Sequence, residues 1–171
     1  MDTKIQDLII QKVHAEQGWK TDEVRVDADD DLRHGSCSFF TVRHKVRPIS
    51  YVLNYALLSK DVLISLADDH AVSKILDACG SDAGAGWWAE IITRFHQDLG
   101  SGLVLQSATD NRLAVQKITA AKKEFAAPAF GNEKGSKTVT YYLLEPESNA
   151  VFLIKAAKNA DGSVTVTRED V

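Results

Sequence analysis

Asp27-Ala28-Asp29-Asp30-Asp31 is the densest run of potential ligands in this 171-residue chain, and its carboxylates begin as a calcium loop begins. The likeness stops there. Leu32 stands where the sharp turn of such a loop demands Gly, and Ser38 stands where a bidentate Glu should close the coordination sphere. An EF-hand is therefore rejected, and the run reads as an acidic turn that keeps mutually repelling carboxylates in water. The histidines at 14, 34, 44, 70 and 96 never pair at i+3 or i+4. His34-x-x-Cys37 supplies two ligands where zinc takes four, so no metal and no cofactor is expected.

Nucleophilic chemistry fares no better. The chain has no Gly-x-Ser-x-Gly elbow, and Cys37 in Gly35-Ser36-Cys37-Ser38 has no motif around it. His34 or His44 would have to act as its base, yet strand alternation puts Cys37 on the face of Phe39, as an inert buried thiol. Cys37 and Cys79 are too far apart for a Cys-x-x-Cys redox pair and too few for a disulfide framework. Both read as buried free thiols. The link Gly80-Ser81-Asp82-Ala83-Gly84-Ala85-Gly86 follows a predicted helix instead of a strand and lacks Lys-Ser/Thr, so it reads as a connector and not as a nucleotide loop.

Two surface features remain as binding candidates. Arg43-His44-Lys45-Val46-Arg47 gathers charge at a hairpin end, where Arg43, His44 and Arg47 could meet an acidic partner or phosphate; the plainer role is to keep that end soluble. The second is Trp87-Trp88. Adjacent helical residues diverge by about 100°, so if Trp88 joins the stripe of Ile91, Ile92 and Phe95, Trp87 sits at its margin with His96 beyond and Arg94 towards the polar side. A pocket mixing aromatic and polar groups can form there.

These residues need elements to position them. Two runs of apolar alternation broken by turn residues predict antiparallel meanders. The clearer is Lys137 to Thr167, with turns at Glu145-Pro146-Glu147-Ser148-Asn149 and Asn159-Ala160-Asp161-Gly162. The fainter runs from Ser36 to Leu66, with Tyr51 to Leu58 as a central strand and Arg47-Pro48 as its turn. Ile5, Leu8, Ile9 and Val13 predict a first helix, capped by Thr3-x-x-Gln6 and closed by Gly18. Val72, Ile75, Leu76 and Cys79 predict a second, capped by Asp68 or Asp69. The Trp88 stripe predicts a third, from Trp87 to Gly100. Leu103-Val104-Leu105 reads as a strand, and Asn111 to Phe125 leans to helix over hairpin strand. Gly131-Asn132-Glu133-Lys134-Gly135-Ser136 reads as an exposed loop.

The fold class expected is α+β: two meanders, at about 36–66 and 137–168, forming one sheet or two related sheets with three to four helices packed against them. The expected organisation is one domain, 1–171. The meanders share an order of aromatic pair, apolar strand, turn and short strand, which also suggests a weak duplication of 1–80 and 81–171. General sheet composition accounts for that order more simply.

An apolar share of 44% suffices to bury a core, which excludes disorder, and a net charge of −4 on mixed charges argues against a nucleic-acid or anionic-membrane footprint. Met1-Asp2-Thr3-Lys4 does not open a secretory signal and no apolar run reaches bilayer length, so a cytoplasmic protein is expected. The function expected is a non-enzymatic protein that binds a protein partner through a sheet face or edge, in the manner of inhibitor, immunity or chaperone-like modules. The alternative is a small-molecule-binding protein or enzyme with a pocket between sheet and helices, in which His96 or His70 and a neighbouring Asp98 or Asp69 serve as acid and base.

Overall fold

The computed structural model describes residues 2–45, 52–59, 61–68, 70–99 and 102–171. The chain is α+β, with two antiparallel sheets, and divides into two compact units, Met1–Ala71 and Val72–Val171. No helix among the described residues is long and apolar enough to cross a membrane.

The first unit begins with α1 (Thr3–Gln17). Its cap is Asp2, whose carboxylate accepts the Lys4 amide at 2.9 Å, and not the predicted Thr3 box; Gly18 ends the helix at φ 69°. The sheet runs in the order β1 (Val24–His34), β2 (Cys37–His44), β3 (Val52–Ser59), β4 (Val62–Ser65). Ile9 and Val13 of α1 lie with Val24, Val26, Phe40, Val42, Tyr55 and Leu57 in one apolar cluster. Tyr55 keeps its polar tip by donating to Glu16 Oε2 at 2.9 Å.

The acidic run is a correction. Asp27 to Asp31 is not a turn but part of β1, an edge strand whose register against β2 shifts between Asp29 and His34. Arg25 and Arg43 bracket Asp27, at 2.9 and 3.0 Å. Sheet pairing plus two guanidiniums therefore holds a strand that Asp alone disfavours. The predicted central strand is buried only over residues 55–58, since Val52 and Asn54 are exposed; Tyr51 lies outside the described residues.

In the second unit, β7 (Ser136–Glu145) is central. It pairs with β8 (Ala150–Lys158) on one side, and with β5 (Leu103–Val104) and β6 (Ala129–Glu133) on the other; β9 (Val164–Asp170) follows β8 at the far edge. Here α2 (Ala71–Cys79), α3 (Ala85–Phe95) and α4 (Arg112–Ala120) supply the helices. Asn111 caps α4 by accepting the Ala114 amide, and Ala114 and Ile118 cluster with Leu105, Tyr142, Leu144 and Val151. The preference for helix in this segment is met over Arg112–Ala120, and the chain leaves the helix at Ala121, before Phe125. Alternation turns Val139 and Tyr141 the other way, towards α3, where Tyr141 and the Thr93 hydroxyl are bonded at 2.9 Å inside the core.

Two element boundaries differ from expectation. The segment 131–136 is not a loop, because β6 and β7 form a hairpin whose two turn residues, Lys134 and Gly135, both take positive φ (48° and 84°). That is the primed turn which matches strand twist. Helix α3 starts at Ala85 and ends at Phe95, because His96 leaves helical space (φ −82°, ψ 126°); Leu99 is buried beyond the helix instead of on it.

Both cysteines are disulfide-bonded, which corrects the reading of free thiols. Their burial was legible and their bonding was not, since spacing along the chain says nothing of distance in space. Unfolded without reductant, the protein is expected to show no reactive thiol, and two after reduction. Any thiol titrated before reduction would contradict this.

Trp88 is 4% exposed, and its indole N–H donates to the Gly80 carbonyl at 2.9 Å. Gly80 is tightly enclosed there, since a Cβ would lie 2.6 Å from the Leu76 carbonyl oxygen. Trp88→Ala is expected to cost about 3 to 5 kcal/mol in denaturant unfolding. Unchanged stability would show that the ring contributes nothing to the core.

Burial raises the Glu90 carboxyl above its ordinary range, against a Gln106 hydrogen bond at 3.4 Å and the charge of Arg94. A carboxyl raised on folding binds its proton more tightly in the native state. Its contribution to stability is therefore full at low pH and declines as pH rises through the folded pKa. Glu90→Gln is expected to melt higher than the parent at about pH 7 and to lose that advantage at about pH 4. Parallel pH profiles for the two proteins would refute it.

Candidate functional site

A cleft of about 380 Å³ opens in the second unit, between the C-terminal end of α2, the link after it, and the ends of β7 and β8. Trp88 forms its inner wall and Lys137 and Lys158 its cationic side, with Asp77, Ser81 and Asn159 at the margin. Strand register brings the lysines together: Lys137 on β7 lies directly opposite Lys158 on β8. Opposed residues of an antiparallel pair project on one face, so both side chains leave the sheet on the side of the cleft.

Each cation is held differently. Lys158 Nζ lies 2.7 Å from an Asp77 carboxylate oxygen. Lys137 makes no ion pair among the described residues; its ammonium lies 4.3 Å from the centre of the Trp88 ring and 3.9 Å from that of Phe130. Those two rings meet edge to face at 5.4 Å, and Phe130 is 41% exposed. Aromatic faces thus stabilise a charge without neutralising it.

A second cleft, in the first unit, is larger at about 670 Å³. Its charged lining is balanced, Lys4 and Arg33 against Asp2 and Asp61, and the Ser36 hydroxyl is engaged by the Leu58 carbonyl at 2.8 Å. Nothing in it selects a ligand of one sign.

The residues singled out from sequence are dispersed. Arg43 is tied to Asp27. His44 is nearly covered, its ring edge-on to Trp19 at 4.9 Å and its Nε2 3.5 Å from a Glu23 oxygen, while Lys45 Nζ donates to the Asp22 carbonyl at 2.8 Å. Arg47 lies outside the described residues. Trp87 is half-buried on α3. His96 donates from Nε2 to the Val164 carbonyl at 2.9 Å, and its Nδ1 faces the Asp98 amide at 3.3 Å with an Asp98 oxygen at 3.8 Å. That ring fastens the end of α3 to β9, with both nitrogens occupied. Arg43 and His44 lie together on β2, whereas Trp87 and His96 belong to the other unit. Among the described residues, no three His, Cys, Asp or Glu side chains are grouped to hold a metal ion.

Lys137, Lys158 and Ser81 were missed in the sequence. One signal could have found the lysines: pairing carried back in step from the turn at Glu145 and Ala150 puts 137 opposite 158. No protein-family model matches this chain, and no curated protein or solved structure matches it.

Proposed function

We propose that this chain is a non-enzymatic binding protein, of the inhibitor, immunity or chaperone-like kind, that receives an extended segment of a protein partner along β6. The observation carrying this reading is the contrast between strand edges. All five residues of β6 are exposed, with Phe130 among them, and β6 carries a single charged residue, Glu133. Edges are ordinarily protected by charge, shortness or bulges. The other edges have such protection: Asp residues and a register shift on β1, four residues only in β4, two only in β5, and Arg168-Glu169-Asp170 on β9. An exposed, weakly charged edge with an aromatic side chain suits strand addition, where main-chain bonds supply affinity and one side-chain pocket supplies selectivity.

The cellular setting follows from the cysteines. A cytoplasmic protein was the expectation from sequence, but disulfides persist in oxidising compartments and are rare where thiols are kept reduced. An oxidising setting is the reading that the bonded cysteines support.

Affinity capture from the native host, quantified by mass spectrometry, tests the binding reading. A protein retained by the parent is expected to be lost with Phe130→Glu and kept with Arg168→Glu, both variants folding as judged by circular dichroism. Equal retention by all three would discard β6 as the contact.

A further inference from the structure

We propose that the cleft beside Trp88 is a binding site for a small molecule bearing an oxyanion, a phosphate or carboxylate, on a flat or apolar body. The first ground is the lysine pair. Like charges directly opposite on a sheet are destabilising, and Lys137 and Lys158 are so placed at the mouth of a cleft. The pair is costly in the free protein and favourable once an anion lies between its members.

The second ground is how the cations are kept. Lys137 is half-buried, held over Trp88 and Phe130 and free of any carboxylate among the described residues, so its charge remains available. Lys158 already holds an oxyanion, the Asp77 carboxylate, whose side chain is 64% exposed. Exposed ion pairs contribute little, so an incoming oxyanion can share or displace that carboxylate at small cost. The Ser81 hydroxyl, also lining the cleft and without a bonding partner among the described residues, supplies a further donor.

The third ground is shape. A volume of about 380 Å³ lies at the small end of ligand pockets. Its inner wall includes the buried Trp88, tied by its N–H to the Gly80 carbonyl, and Leu76, so the apolar part of a ligand meets a wall already in place.

Calorimetric titration of the full chain at low salt, with inorganic phosphate, phenyl phosphate and benzoate in turn, tests the site; no protein partner is present, so its outcome is separate from that of β6. One saturable site is expected for at least one organic probe, tighter than for inorganic phosphate, and the better of phenyl phosphate and benzoate identifies the headgroup. The Trp88 indole N–H resonance should shift along the same binding curve. Lys137→Met and Lys158→Met should each weaken binding by about tenfold or more. Lys155→Met, which removes the same charge from the opposite face of β8, should leave it within about twofold. Absence of saturable binding by all three probes would overturn the proposal. So would equal weakening by Lys155→Met and Lys137→Met, or binding that leaves the Trp88 resonance in place.

Discussion

Strand β7 has to serve two faces of one sheet, and in the second unit most other features follow from how it does so. Tyr142 and Leu144 join the α4 cluster, while Val139 and Tyr141 turn towards α3. A slip of one residue would exchange these sets and put Lys137 into the α4 side. Register is therefore fixed by the burial of two tyrosines pointing opposite ways, neither of which could be exposed without losing a large apolar area. The placement of Lys137 opposite Lys158 is a consequence of that fixed register.

The first unit solves a different problem, because its edge strand has a sequence that favours water over pairing. β1 is anchored at its beginning by Val24 and Val26, which enter the core, and at its end by Leu32, which is 2% exposed. Between these anchors the aspartates are carried along. Asp27 accepts from Arg25 on its own strand and from Arg43 across the ladder, so the guanidiniums that look like a free basic patch in sequence serve as internal counter-charges. Such exposed pairs are worth little each. Their effect is to offset repulsion within the run, while the apolar anchors supply the stability.

How much could be read beforehand depended on whether the determining interaction was local. The strands β7 to β9 were legible because alternation and turn chemistry agree: Asn149 and Gly162 both take the positive φ their residue types favour. β6 and its turn into β7 were not, since Gly131 and Asn132 resemble loop residues and the turn places Lys134, a poor indicator, at positive φ. α3 was overextended because Leu99 continues the apolar stripe, although the chain buries it after leaving the helix at His96. The cleft lysines were harder to see, because what brings them together is a strand register that has to be carried back from the turn at Glu145 and Ala150 and is not written in their immediate neighbours.

Local consistency is the ordinary state of a folded sequence, and departures from it concentrate where a molecule does something other than fold. Asp2 at a helix start, Asn111 at another and Gly18 at a helix end all obey their local rules. The opposed lysines do not. A lysine and a carboxylate at 137 and 158 would satisfy the ladder directly, whereas the present pair needs Asp77 from a helix and two aromatic rings to tolerate it. The edge strand β6 departs in the same region, leaving Phe130 exposed where a charged residue would protect the edge. Trp88 touches both departures: it wall-papers the cleft and supports Phe130 through an edge-to-face contact. Two departures from local consistency thus share one buried, hydrogen-bonded side chain, so the opposed lysines and the exposed edge aromatic in this corner of the second sheet are structurally coupled through Trp88.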